Sequence, residues 1–281
     1  MSQVEPFRKS AAPFRTRMQA GCALTVGGVR KTYFAASTGE VVALGDVSLE
    51  VAAGEFLTVV GPSGCGKSTF LQIAAGLMLP TGGSIALDGR PVSGPPEGLV
   101  YLFQQYTRSL LPWRTVVSNV EFAIEGKDAR PASERRAFCM RFLEMVGLAK
   151  FADHYPWQLS GGMQQRVAIA RALAAEPRVL LLDEPFSSVD ALTRGELHEL
   201  ILGLWEKAGF TVVLVTHDVD EAVFLSDRIA ILSSRPSSIV DVIKTGLPRP
   251  RDKMQTPELP RFLEIRHHLL ETLTGRSSIP A

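Results

Sequence analysis

Five short runs of the chain are almost entirely apolar: residues 55–60, 99–103, 179–183, 211–216 and 229–232. Runs of this length, rich in Val, Leu and Ile, suit strands buried on both faces of a mainly parallel sheet. Between them, residues 67–76, 162–175, 191–205 and 219–225 carry the apolar spacing of helices. The alternation of the two patterns predicts an α/β domain. Two regions break it. Residues 24–51 and 83–88 read as short strands separated by glycine-containing turns, which predicts an antiparallel flap beside the main sheet. Residues 115–157 read as helices, including 133–146, with no strand among them.

Beyond residue 246 the chain turns to "PRPRDK" and then to a stretch in which Phe262, Ile265 and Leu269 share one helical face. The expected organisation is an extension over 1–21, a core over 22–246 with a helical part at about 105–160, and a helical tail over 247–281. The extension carries Arg8, Lys9, Arg15 and Arg17 without the apolar stretch of a secretory signal. It reads as a loose basic tail.

Composition narrows the function classes. The 281 residues are 46% hydrophobic and 21% charged, which excludes disorder of the whole chain. A formal net charge of +1 provides no overall field for nucleic acid or anionic lipid. No apolar run approaches the ~18 residues that a membrane crossing needs. Cys22, Cys65 and Cys139 are odd in number and widely spaced, which points away from a disulfide framework or a zinc site and towards a reducing compartment.

The chemistry concentrates in "GPSGCGKST", which is Gly61, Pro62, Ser63, Gly64, Cys65, Gly66, Lys67, Ser68 and Thr69. Gly-x-x-x-x-Gly-Lys-Ser between a strand and a helix is the phosphate-loop pattern. Its glycines let backbone N–H groups curve around phosphate oxygens, and the helix N-terminus adds a favourable field. Lys67 would reach the β and γ phosphates, and Ser68 would ligate Mg²⁺. Cys65 reads as a tolerated small residue of the loop.

"VLLLDEP" supplies a strand ending in two carboxylates. Asp183 is placed to hold the Mg²⁺ shell, and Glu184 to polarise an attacking water as general base. "LSGGMQQR" then adds a second small-residue helix start at Ser160, Gly161 and Gly162, again an anion-binding shape. Two phosphate-binding helix starts and one nucleotide per chain are reconciled by dimerisation.

With these motifs in this order, the chain resembles the ATP-binding subunits of ABC transporters. The resemblance covers about residues 22–246 and rests on six ordered elements: Tyr33, the loop 61–69, Gln104, the signature 159–164, Asp183-Glu184 with Asp190, and His217. It implies a RecA-like phosphate-loop ATPase core with an antiparallel β subdomain and an inserted α-helical subdomain. It further implies ATP and Mg²⁺ as cofactors, and two ATP molecules sandwiched in a homodimer. Tyr33, with Phe34 as the alternative, would stack on adenine. Gln104, with Gln105 as the alternative register, would touch Mg²⁺ or the attacking water and relay that contact to the partner. Asp190 would contact the opposite subunit's loop, and His217 would bond the γ-phosphate while holding Glu184 and water. His154, His198, His267 and His268 receive no role.

Met163 within the signature and Leu110-Leu111-Pro112-Trp113 after the glutamine loop resemble the nitrate, sulfonate and taurine importer branch. This resemblance implies an importer ATPase at the cytoplasmic face of the inner membrane, bound peripherally to permease subunits and served indirectly by a solute-binding protein, with no nucleic acid. The stretch "LLPWRTV" reads as the surface that receives a short permease helix. The competing expectation is an ABC-type ATPase that remodels nucleic acid or ribosomes. The chain lacks the long coiled-coil insertion or the second ATPase unit that such proteins use.

Overall fold

Four neighbouring strands run parallel, β3 (Phe56–Val60), β6 (Leu99–Leu102), β7 (Val179–Asp183) and β8 (Thr211–Val215), with β6 at the edge of the sheet. β9 (Arg228–Leu232) lies parallel to β3 on its other side. The computed structural model describes residues 20–35, 39–104, 109–187 and 189–275. The basic segment 1–19, Gln105 and the tip of the tail lie outside the described residues.

The flap comprises β1 (Leu24–Ala35), β2 (Gly39–Val51), β4 (Gly82–Leu87) and β5 (Arg90–Pro91), paired antiparallel throughout. β10 (Ser237–Lys244), which the apolar pattern did not predict, joins the halves: it is antiparallel to β9 and parallel to β2. The ten described strands form one sheet in the order β5-β4-β1-β2-β10-β9-β3-β8-β7-β6. The fold is therefore α/β with an antiparallel extension, as expected.

Helices cover both faces. α1 (Lys67–Ala74) follows β3. α2 (Val116–Glu121), α3 (Ala132–Met145) and α4 (Gly161–Ala174) pack on one another as the helical insertion between β6 and β7. α5 (Ala191–Ala208) and α6 (Val219–Leu225) follow β7 and β8, and α7 (Pro260–Thr274) closes the described chain. The central strands alternate as the pleat requires. Phe56, Leu180, Leu182, Val212 and Leu214 enter the apolar cluster that holds the helical insertion, while Leu57, Leu181, Val213 and Val215 enter the cluster around α1 and the flap.

The segment after Gln104 is tied down at both ends of its described part. Arg171 donates to the Ser109 carbonyl and hydroxyl, each at 2.6 Å. Asn119 is wholly buried, donates to the carbonyls of Leu111, Arg114 and Thr115, and accepts from Leu111 N at 2.8 Å. These bonds fix the turn that exposes Trp113 (71% accessible) while Leu110 goes into the core.

The tail is part of the main core. Phe262, Ile265 and Leu269 bury the predicted face of α7 in the cluster that holds the helical insertion. Arg251 is buried and donates to the Val223, Phe224 and Ser226 carbonyls at the end of α6. Phe262→Ala is expected to lower unfolding stability by about 3–5 kcal/mol. Leu263→Ala, one residue on at a 36% exposed position, should move it by less than about 1 kcal/mol. Urea denaturation of the two variants checks this.

Candidate active site

The loop between β3 and α1 is shaped by close approach. Gly66 has φ 109°, and a Cβ there would lie 2.9 Å from Leu44 Cδ2 and 3.3 Å from the Ala43 carbonyl. No side chain other than glycine fits that backbone. α1 has no side-chain cap, so its first N–H groups are left for an anion. Lys67 folds back across the loop and donates to the carbonyls of Gly61 at 2.8 Å and Pro62 at 3.0 Å. Its ammonium is buried, with two neutral acceptors in place of a counter-ion. Ser63 and Gly64 stand open to solvent. Cys65 is buried, its carbonyl accepts from Ser237, and burial pushes its thiol up, all of which makes it a packing residue of the loop.

Tyr33 sits beside this loop with its hydroxyl 3.2 Å from Thr69 Oγ1 and from the Met78 sulfur. Successive strand residues face opposite ways, so Phe34 lies on the other face of β1 and is 79% exposed. Of the two aromatic candidates, Tyr33 is the one on the phosphate-loop side.

Ser68 Oγ donates to Asp183 Oδ1 at 2.9 Å, and Tyr101 donates to Asp183 Oδ2 at 2.7 Å. Burial pushes the Asp183 carboxyl up and neighbouring Glu184 adds to the push, against the bonds from Tyr101 and Ser68. Tyr101 belongs to none of the sequence motifs. Its signal was a hydroxyl in an otherwise apolar strand, three residues before Gln104. β6 pairs with β7 in parallel register, which brings that hydroxyl to the carboxylate.

Glu184 has φ 44°, a left-handed conformation that a residue with a Cβ rarely adopts. The turn lifts its carboxylate out of the strand direction while its N–H bonds the Val215 carbonyl at 2.9 Å. Gln104 Nε2 donates to Glu184 Oε2 at 3.3 Å, and His217 Nδ1 lies 3.0 Å from the same oxygen. Two residues from two other strand ends thus converge on one Glu184 carboxylate oxygen, with His217 more than half exposed beyond it.

The signature and Asp190 sit elsewhere in the chain. Ser160 caps α4 by accepting from Met163 N at 3.3 Å. A Cβ on Gly162 would collide with the Thr193 side chain in the first turn of α5, so glycine is what lets the two helix starts touch. Asp190 caps α5, accepting from Thr193 N at 3.0 Å, and those bonds hold its carboxyl below the usual range. The neighbours of the phosphate loop are Ala43, Leu44, Leu232 and Asp183, whereas those of the signature are Thr193 and the start of α5.

A family model described as ABC transporter matches residues 44–187, from the flap through the phosphate loop to the Asp183-Glu184 turn. The chain belongs to the ABC transporter family.

An uncharacterized ABC transporter ATP-binding protein of Methanocaldococcus jannaschii is 52% identical, over 83% of this chain and 85% of that protein. The nitrate import ATP-binding protein NrtD of Synechococcus elongatus is 44% identical, over 86% and 89% of the two chains. The taurine import ATP-binding protein TauB of Yersinia pestis is 51% identical, over 71% and 77%. Some relatives are longer: the chain spans 38% of the nitrate import ATP-binding protein NrtC. A solved ATP-binding cassette, dimeric in a post-hydrolysis state and bound to ADP and phosphate, superposes with a TM-score of 0.69 at 36% identity, covering 79% of this chain and 98% of that one. The ABC fold and the phosphate loop make this chain an ATP-binding ATPase.

Asp183 holds its proton more readily in the folded than in the unfolded chain. Raising the pH above the ordinary aspartate value therefore costs the nucleotide-free fold stability, and at neutral pH the buried carboxylate is a net burden. Asp183→Asn is expected to raise the melting temperature of the nucleotide-free protein, since it removes the buried charge, while abolishing ATP turnover. Thermal denaturation and a phosphate-release assay check the two halves.

Proposed function

We propose that this chain is the ATP-hydrolysing subunit of an importer. Two copies clamp two ATP molecules and pull on membrane permease subunits to energise uptake of a small oxoanion or sulfonate of the nitrate or taurine type. The observation that carries the reading is the Gln104–Glu184–His217 cluster beside the phosphate loop, in a chain whose signature loop has its own neighbours at another place. The import relatives named above support the transport role, and the dimeric neighbour supports the sandwich.

In this reading the ATPase core spans 22–246, with its helical part at about 105–160. Gly61 to Thr69 cradle the phosphates. Lys67 trades two neutral carbonyls for phosphate oxygens, a stronger charge-assisted bond. Tyr33 offers its ring to adenine. Ser160, Gly161 and Gly162 of the partner copy cover the γ-phosphate with their helix start, and Asp190 meets the opposite loop.

Among the described residues no cluster of three or more His, Cys, Asp or Glu could hold a metal. That fits Mg²⁺, which takes one or two protein oxygens and completes its shell with phosphate and water. The hydroxyl of Ser68 and the carboxylate of Asp183, already 2.9 Å apart, are the hard donors that would hold it, with Gln104 at the edge. Bound there, Mg²⁺ would neutralise charge on the β- and γ-phosphates.

Glu184 Oε2 accepts the proton of the attacking water as the new oxygen–phosphorus bond forms in line with the bond that releases ADP. His217 and Gln104 fix that oxygen in place, and a His217 ring carrying both protons would donate from Nδ1 to Glu184 and from Nε2 to a γ-phosphate oxygen.

No helix among the described residues is long and apolar enough to cross a membrane. We place the subunit on the cytoplasmic face, docked through the loop that exposes Trp113, with the solute-binding protein contacted only through the permease.

Glu184→Gln is expected to slow hydrolysis by about 10²- to 10⁴-fold and to accumulate an ATP-bound dimer on size exclusion. Wild-type turnover in that variant would overturn the assignment of the base. Affinity purification of tagged Glu184→Gln protein from detergent-solubilised native membranes with ATP should recover a stoichiometric polytopic membrane protein. Recovery of ribosomes or nucleic acid instead would overturn the importer reading.

A further inference from the structure

The start of α5 touches the Asp190 turn, the signature helix and the residue that follows His217. Asp190 caps it. Thr193 packs on Gly162 of the signature, and Glu196 pairs with Arg166 of the signature helix at 2.6 Å. Arg194 reaches two ways: Nη2 donates to the Val189 carbonyl at 3.3 Å, beside Asp190, and Nη1 pairs with Asp218 Oδ2 at 2.9 Å. Its Nε is buried and without a partner.

Asp218 immediately follows His217. Its other oxygen caps α6, accepting from Glu221 N at 3.0 Å, and its own N–H bonds Thr216 Oγ1 at 3.0 Å. The residues on both sides of His217 are thereby held. Behind them Glu221 is buried and its Oε1 lies 2.8 Å from His198 Nε2, a second link between α5 and α6. The ring of Phe186, two residues after Glu184, stands edge-on to His198 at 4.8 Å.

The geometry points to Arg194 as a positioning residue that transmits the placement of the Asp190 turn to His217, through Val189 O on one side and Asp218 on the other. The inference rests on the dimer reading above, since the Asp190 turn is what the partner copy would move. Arg194 touches no reacting atom; it acts through Asp218. Both partners of the pair are about one-third exposed. Exposed pairs add little to stability, so its use lies in the geometry. Arginine suits the task because one planar fork serves two acceptors in fixed directions; a lysine is a single point charge.

The test uses the full chain and a pair of variants. Arg194→Gln removes the charge, and Asp218→Asn keeps the α6 cap, since asparagine caps as well as aspartate, but loses the ion pair. Each should leave the melting temperature and the equilibrium affinity for an ATP analogue unchanged, lower kcat about tenfold, in line with what small misplacements cost, and bring the Hill coefficient for ATP down to about 1. The double variant should be no worse than either single one, and Arg194→Lys should recover activity in part. In a His217→Ala background Arg194→Gln should have little further effect. Full additivity there, or a fall in melting temperature that accounts for the lost activity, overturns the proposal, as does unchanged kcat and cooperativity. The dimer reading is checked separately: Glu184→Gln protein that stays monomeric with ATP overturns that reading and this inference with it. A dimer that forms normally while Arg194→Gln remains fully cooperative overturns the inference alone.

Discussion

Everything in the site depends on four parallel strands ending at one edge of the sheet. β3, β8, β7 and β6 are neighbours in that order, and their carboxyl ends supply, respectively, the phosphate loop, His217, Asp183 with Glu184, and Gln104. In open α/β sheets ligands bind outside those ends. The register makes this concrete: Asp183 pairs with Val215, two residues before His217, and Leu182 pairs with Leu102, two before Gln104. β3, β7 and β8 are buried on both faces, so a slip of one residue would turn apolar side chains between two cores of different shape. Core packing therefore sets where the candidate catalytic side chains stand.

Two adjacent carboxylates at one strand end present a problem that the backbone solves. If Glu184 continued the strand, it would face away from Asp183. The left-handed turn at Glu184, held by its N–H on Val215 and by Ser187 donating to its carbonyl, lets the pair serve two different points. Strain of this kind, of order 1–3 kcal/mol, persists where the surroundings over-determine it. The buried charges are handled in a similar spirit. Lys67 and Asp183 do not pair with each other; each is held by neutral groups that a phosphate or a cation can replace. The nucleotide-free site is satisfied in hydrogen bonds but not in charge, which favours a ligand carrying both signs.

The sequence made the parallel strands and most helices legible because burial on two faces leaves unbroken apolar runs, and because the glycines and caps mark helix starts. It missed β10, whose "SSIVDVIK" is only half-buried and carries an aspartate mid-strand, so neither an apolar run nor a clean alternation shows. Phe262, Ile265 and Leu269 were readable as one face, but that the face belongs to the main core depends on Arg249 and Arg251 gripping the end of α6 from far along the chain. In the site, Gln104, Glu184 and His217 could be picked by residue type and order. Tyr101, Asn119 and Arg194 could not, since each acts through a partner 8 to 82 residues away that only the fold reveals. His198 shows the limit from the other side: its place in the sequence gives it no role, and the structure pairs it with a buried glutamate.

The helical insertion and the strand edge are joined by one continuous apolar cluster that runs from α2, α3 and α4 through α5 and α6 to α7. A packed interior transmits displacement because it has few voids to absorb it. The signature at the start of α4 and the Asp190 turn at the start of α5 meet at Gly162 and Thr193, where no Cβ fits between them, so neither start can shift towards the other without moving its helix. A nucleotide that bridges two copies would press on both helix starts at once. In the proposed importer the same helices would carry that load to the loop exposing Trp113 on one side and to His217 on the other, and the coupling between hydrolysis and a membrane partner would then be a property of packing around α4 and α5 more than of any single contact.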